Sequence, residues 1–487
     1  MGRWAQETAG ACRTLAPAVA LPIADALDAV AARAVATPAI VVTGPVSSGK
    51  STLVNALVGR RVAPTGAGEC TRLTARYVRG PVDRLDVVLA DGSRRPLPLA
   101  EGGRVPAAVG DRLGVDPADV DHLLVSLTSD ALDGLTVVDT PGAGSARRPR
   151  GPARGSTDAA EAALVVLPSS ARPDEIAGLA AAARYGPAGV VAVLGRADTV
   201  GSQADAAGVA ETLSRRLGSR LGPVTPVVGL LAETATTGAL RSADVAALRA
   251  LAADDATGAA LLDPEMFVGA RLPVDAATRS RLLDLLDRRG ITIALALLRE
   301  RPDAGVGDVC AALLAASGLD RVVERLRAEV RGRADLLAAV AAERRVAALA
   351  DAERAAVRAE RGRARAPGPG TSTVPTGGRD LERLTDLVED LHARPLHLDL
   401  ALVEAAARHR SGALTLPDEL AAELDLLASP DDLPARLAIP APELAGHAAR
   451  RAATWRAYAT WGTPPDRSDV ADTVHRGWAR LWGELTG

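Results

Sequence analysis

The chain has 487 residues, 48% hydrophobic and 24% charged, with 57 basic residues against 60 acidic ones for a net charge of −3. At ~100–200 residues per domain this is room for two to four domains. The composition excludes a mostly disordered chain, and the balanced charge excludes a general nucleic-acid-binding field. With five Trp, three Tyr and one Phe, the core has to be built from Ala, Val and Leu, which favours close-packed helices over an aromatic-rich sandwich.

Residues 3–36 read as one or two helices, broken near Pro17 and Pro22, and Ala39–Val42 is a short buried strand. From there to about 270, apolar strands alternate with helical segments, which predicts a doubly wound, mostly parallel α/β domain. Strands are expected at 74–79, 84–90, 122–128, 135–138, 163–167, 189–194 and 225–230, with helices over 51–58, 173–184, 203–217 and 238–252. After Pro273 the pattern is helix alone: 276–288, 291–300, 306–315 and 319–363. Ser317 and Asp320 are spaced as a capping box opening the last of these. Arg365–Gly378 is a Pro/Gly/Thr stretch, and further helices follow to the end.

Trp4 lies in the first helix, and Trp455, Trp461, Trp478 and Trp482 near the other end. Large rings cluster where they bury most area, so the N-terminal helix is expected on the C-terminal helices as a neck. Separate packing at each end is the alternative. Cys12, Cys70 and Cys310 are too scattered for a disulfide framework or a CxxC metal site, which suits a reducing cytosol. Neither a signal peptide nor an 18-residue apolar run is found.

Fifty-six of the 57 basic residues are Arg, so Lys50 is the single lysine, and Asn55 is the single asparagine. In a chain so biased, a retained lysine does something arginine cannot. Lys50 ends Gly44-Pro-Val-Ser47-Ser48-Gly49-Lys50-Ser51, a GxxxxGK[ST] phosphate loop between a strand and a helix. Its backbone N–H groups and the helix dipole would cradle phosphates, with Lys50 reaching the β and γ oxygens and the Ser51 hydroxyl on Mg²⁺. Ser47 and Ser48 within the loop and Thr52 just after it are expected to bind the nucleotide as well. Asp139-Thr-Pro-Gly142 follows the strand expected at 135–138; Asp139 would hold Mg²⁺ through water and the Gly142 N–H would face the γ-phosphate. Between the motifs, Pro64–Arg72 is a Gly-rich loop in which Thr71 would close on Mg²⁺ and γ-phosphate. Strand 189–194 runs into Gly195-Arg196-Ala-Asp198, where a guanine-reading [NT]KxD would stand. Asp198 fits; Gly195 and Arg196 do not, and a plain helix-capping Asp is the alternative.

These residues resemble the dynamin superfamily of large GTPases, on the phosphate loop with KSTLVNALVG, on PTGAGECTR and on DTPG. GRAD, PVVGLLAET (226–234) and SGLD look like the actinobacterial, isoniazid-inducible bacterial dynamins, the shorter member in particular. The likeness covers the GTPase region well and the helical part loosely. It implies N-terminal neck helices (1–36), a GTPase head (37–270), a helical neck and trunk (271–364), a tip or linker (365–378) and a C-terminal helical return (379–487). It further implies GTP/GDP and Mg²⁺ as ligands and a GTP-dependent homodimer, or heterodimer with another dynamin-like protein. Peripheral action on an anionic inner membrane from the cytoplasm is implied as well. One departure bears on mechanism: Val46 stands where eukaryotic dynamins carry a water-positioning Gln. The Thr71 backbone, Ser47 or a group from a dimer partner would then hold the water, and Arg72, Arg147, Arg148, Arg150 or Arg154 could neutralise charge. Slow intrinsic turnover follows.

Arg358, Arg361, Arg363 and Arg365 end the long helix beside the Pro/Gly stretch. They suit an anionic membrane surface, each worth ~1 kcal/mol there, or simply complement a helix C-terminus. The six His show no regular ligand spacing; His392 and His397, flanking Pro395, read as packing at a helix junction rather than as metal ligands. A nucleotide-binding scaffold with weak turnover is the rival to the enzyme.

Overall fold

The structure is a computed structural model. It describes the chain except residues 1, 65–72, 107–108, 110–115, 117–118, 142–159, 170–181, 183, 365–376, 430–436, 438, 461–462 and 487, and except the side chains of 361–364, 377 and 441. Two compact units result, one of residues 39–186 and 190–328, the other of 1–38, 187–189 and 329–487.

The first unit is built on a nine-stranded sheet of order β4-β3-β5-β2-β6-β1-β7-β8-β9. The strands are β1 (Ala39–Thr43), β2 (Ala75–Arg79), β3 (Arg84–Leu89), β4 (Arg94–Leu97), β5 (Val120–Leu127), β6 (Thr136–Asp139), β7 (Ala162–Leu167), β8 (Val190–Leu194) and β9 (Val224–Pro226). The segment β6-β1-β7-β8-β9 is parallel throughout, while β2 runs antiparallel to β6 and β3 antiparallel to both its neighbours. The chemistry of the strands follows this order. β7 and β8 are apolar and buried at every position, as strands covered on both faces must be. β5 alternates between buried and half-buried positions.

Two expectations for this unit need correction. The strand expected at 225–230 stops at Pro226, and the chain turns into the helix Gly229–Thr236. The Val228 N–H is taken by the Ser317 carbonyl (2.9 Å), so the backbone there is satisfied by a helix end instead of a sheet neighbour. Secondly, β4 was not foreseen, because Arg94-Arg95-Pro96-Leu97 buries only Leu97 and carries no apolar alternation. Of the helices, Gln203–Leu221 and Ser242–Ala252 lie near their expected places, while most of the 173–184 segment falls outside the described residues.

The helices from Ala276 to Arg325 belong to the sheet unit, whereas the sequence pattern drew its division near 270, where strands end. The helices Ala276–Glu300 and Val306–Ser317 share one core with Leu231, Leu248, Leu251 and Phe267. Segments 276–288 and 291–300 form one helix, Ala276–Glu300, kinked at Asp287 (φ 51°, ψ 179°). The capping box at Ser317 does not form. Gly318, in left-handed conformation (φ 79°), separates two helices there, and Ser317 Oγ accepts from the Leu319 N–H (3.1 Å) without reciprocity from Asp320. The long helix expected over 319–363 is broken by a π-helical turn, Leu326–Arg331, before continuing as Ala334–Ala364.

The second unit is all helical: Arg3–Leu15, Leu21–Ala34, Ala334–Ala364, Gly377–His392, Leu396–Arg410, Asp418–Leu427, Ala441–Thr460 and Pro465–Thr486. The N-terminal pair is tied to it by Asp335, whose carboxylate accepts from the N–H groups of Trp4 (3.0 Å) and Ala5 (2.8 Å), satisfying the open end of the first helix. Trp455 and Trp478 are fully buried in one core on which Trp4 packs, so the two ends of the chain do meet. Trp482 is 47% exposed and Trp461 lies outside the described residues.

Candidate nucleotide site

β1, β6 and β8 are parallel and near-adjacent, so their C-terminal ends reach the same edge of the sheet. There β1 delivers the Gly44–Ser51 loop, β6 delivers Asp139 and β8 delivers Gly195–Asp198. This edge of an open parallel sheet is where ligands bind.

The loop enters the helix Lys50–Val58 through Gly49 (φ 92°), and no side chain caps that helix, so its first N–H groups point into the loop. Gly44 is held at φ 154°, where an added Cβ would sit 2.3 Å from the Val166 carbonyl oxygen. Ser47 adopts φ 62°, a conformation uncommon for a residue with a Cβ. Lys50 is buried, and its Nζ donates to the Pro45 carbonyl at 2.7 Å. Burial lowers the ammonium's pKa, and the negative charge of Asp139 opposes the fall. Asp139 is pushed up to about 6 by burial, with Lys50 and a hydrogen bond from Ser51 Oγ (3.3 Å to Oδ2) pulling it down.

Two buried oxygens here have no hydrogen-bond partner: Asp139 Oδ1 and Ser48 Oγ. The Asp139 carboxylate beside the Ser51 hydroxyl (3.3 Å) is a hard oxygen donor pair, and it fits a Mg²⁺ ion better than a softer metal. Thr52 is half-buried on the same helix, and Thr140 Oγ1 ties the Asp139 loop to the Val42 carbonyl (2.9 Å). Val46 is 61% exposed on the loop.

The β8 end explains its own departure from the guanine motif. Gly195 is so close to the phosphate loop that a Cβ would lie 2.4 Å from the Ser48 carbonyl oxygen and 2.6 Å from Val166 Cγ1. Asn or Thr would not fit without displacing that loop. Arg196 (φ 51°) follows, its Cγ 3.7 Å from where a Cβ on Gly49 would stand, so its aliphatic stem runs along the loop. Asp198 is half-buried, and burial raises its carboxyl above the ordinary value; Asp287 adds to the rise, while Arg196 and Arg289 oppose it.

Thr71, Arg72, Gly142, Arg147, Arg148, Arg150, Arg154 and Arg365 lie outside the described residues. So do the side chains of Arg361 and Arg363; Arg358 is exposed on the helix Ala334–Ala364.

One group of residues was missed. Asn55 is buried and uses all its capacity, donating to the Ala63 carbonyl (3.0 Å) and Glu233 Oε1 (2.8 Å) and accepting from the N–H groups of Val62 and Ala63. Arg61 reaches the other Glu233 oxygen at 3.4 Å. This network fixes the chain as it leaves the phosphate-loop helix toward Thr71. The signal was present, since Asn55 is the single asparagine, but its partner is 178 positions away.

With that geometry in place, likeness to known proteins bears on it directly. Residues 40–175 match the model of the dynamin family. The matched residues lie in the sheet unit. Over 254 residues the chain is 34% identical to isoniazid-induced protein IniC of Mycobacterium tuberculosis, in strains CDC 1551 and H37Rv, covering 46% of this chain and 48% of the relative. The chain thus spans about half the length of the curated relatives it matches. Among solved structures, an oligomerised bacterial dynamin pair that senses and tethers membranes is similar along 99% of this chain and 74% of its own, at TM-score 0.32 and 12% identity. Among the described residues, no helix is long and apolar enough to cross a membrane.

Proposed function

We propose that the chain binds and hydrolyses GTP with Mg²⁺, and works as a dynamin-like GTPase at a membrane surface. The observation that carries this reading is the single lysine, buried at an uncapped helix N-terminus beside a buried carboxylate. Gly44, Ser47, Ser48, Gly49, Lys50, Ser51 and Thr52 would hold the phosphates, and Ser51, Asp139 and Thr71 the metal. Bound Mg²⁺ would neutralise charge on the phosphate oxygens. Lys50 would exchange the Pro45 carbonyl for a phosphate oxygen, as a flexible point charge can. The Gly142 N–H would face the terminal phosphate, and Asp198 with the Arg196 stem would select guanine. With Val46 at the loop, water would be held by Ser47 or the Thr71 backbone and by a second head across a nucleotide-dependent dimer, homo- or heteromeric. Arg358, Arg361, Arg363 and Arg365 would meet anionic lipid at the inner face of the membrane.

The alternative is a nucleotide-binding scaffold with little turnover, paired with a sibling protein. Val46 and the Gly195–Arg196 pair favour it. GTP and ATP turnover across a concentration series, with and without anionic liposomes, separates the two. GTP-selective turnover rising with concentration supports the enzyme; GTP binding without turnover in every condition supports the scaffold.

A further inference from the structure

The helical unit holds a cluster that the nucleotide reading does not use. Glu343, on the helix Ala334–Ala364, is 3% exposed, and its Oε1 has no hydrogen-bond partner. His397, in the first turn of Leu396–Arg410, places Nε2 3.0 Å from Glu343 Oε2. His392, the last residue of Gly377–His392, stands edge-on to His397, ring centroids 5.5 Å apart at 65°. One ligand atom from each of the three residues lies within 4.8 Å of the others.

The donors are arranged for a cation. His397 Nε2 and Glu343 Oε1 are both buried without a hydrogen-bond partner, and Nε2 lies 3.0 Å from Glu343 Oε2. An unpartnered imidazole nitrogen beside an unpartnered carboxylate oxygen is a donor set free for a cation. Burial pushes the Glu343 carboxyl up to about 7, with the positive charge of Arg394 pulling the other way. Arg394 is itself engaged, donating to Thr8 Oγ1 at 3.1 Å. His392 is exposed, which leaves its ring room to turn inward and leaves a side of the cluster open to water.

We propose that Glu343, His392 and His397 form a binding site for a borderline transition-metal dication, zinc above all, with water as the fourth ligand. Two imidazoles and one carboxylate suit zinc, and hard, waterloving Mg²⁺ has no claim on such a set. Closing from the present spacing to the ~3.3 Å edge of a tetrahedron with ~2.0–2.1 Å bonds requires only movement of the exposed His392 ring. The ion would join the long helix to the junction of the two helices that follow it.

The test uses the full chain, stripped of metal by chelation, free of nucleotide, with excess Mg²⁺ to fill hard oxygen sites. Zn²⁺ alone is titrated by calorimetry, and Co²⁺ by its visible absorption. Expected are one Zn²⁺ per chain at micromolar or tighter affinity, tetrahedral cobalt bands, and a loss of at least ~10-fold in affinity for each of His392→Ala, His397→Ala and Glu343→Gln. Lys50→Ala should bind zinc as the parent does. His392→Ala, at an exposed position, and the isosteric Glu343→Gln are checked for fold by circular dichroism; if Glu343→Gln does not fold, His392→Ala decides. No binding by folded protein, millimolar binding only, or tight binding that all three variants retain overturns the site.

Discussion

The two polar clusters of this protein are built in opposite ways. The phosphate loop is contiguous: eight residues from Gly44 to Ser51 carry most of its chemistry, and the sheet needs only to bring Asp139 and Asp198 to the same edge. The Glu343–His392–His397 group is assembled from three helices, and its members are five to 54 positions apart. A local motif is legible because backbone conformation fixes its geometry. A cluster made by helix packing is not, because lone histidines at a helix junction look the same whether they meet a carboxylate or not.

The strongest way to break this comparison is Lys50→Ala. Nucleotide turnover should fall roughly 100-fold or more, since a buried cation aimed at transferring charge is lost. In the same preparation zinc binding should persist, and His392→Ala should leave GTP turnover unchanged. Turnover that survives Lys50→Ala would remove the phosphate loop from the reaction.

Asn55→Ala comes next. It leaves the Glu233 carboxylate and the backbone groups of residues 62 and 63 short of partners, and a cost of about 3 kcal/mol in stability is expected. Thermal unfolding followed in the sheet unit reads it, and a loss below ~1 kcal/mol would mean that water replaces the network.

Gly195→Asn sharpens the comparison from the other side, because it restores the family's residue and should nevertheless weaken binding. The Cβ clash with the Ser48 carbonyl displaces the phosphate loop, and about tenfold lower affinity for GTP is expected, ~1.4 kcal/mol. Fluorescent-nucleotide titration measures it; tighter binding would show that the loop yields.

The smallest effect concerns pH. Burial pushes the Asp244 carboxyl up, but paired hydrogen bonds from Arg281 (2.9 and 3.1 Å) and the Arg241 N–H bring the net pKa below its ordinary value of 3.8. A carboxyl with a lowered folded-state pKa stabilises above its unfolded pKa and loses that contribution as pH falls through the folded value. The stability gap between parent and Asp244→Asn should therefore hold at neutral pH and shrink below about pH 4. A gap that is flat through that range would assign the effect to packing alone.

Length, composition and motif spacing were enough to predict an α/β unit followed by a helical remainder, because strand alternation and helical periodicity are local facts. Tertiary structure decided what depends on distant neighbours. It ended β9 at Pro226 through a helix-end hydrogen bond, and let residues 276–328 complete the sheet unit's core. It also made Gly195 necessary through a carbonyl nearly 150 positions away, gave Asn55 its partner in Glu233, and brought two histidines to a buried glutamate. Burial and close approach are properties of packed neighbours, and no spacing along the chain encodes them.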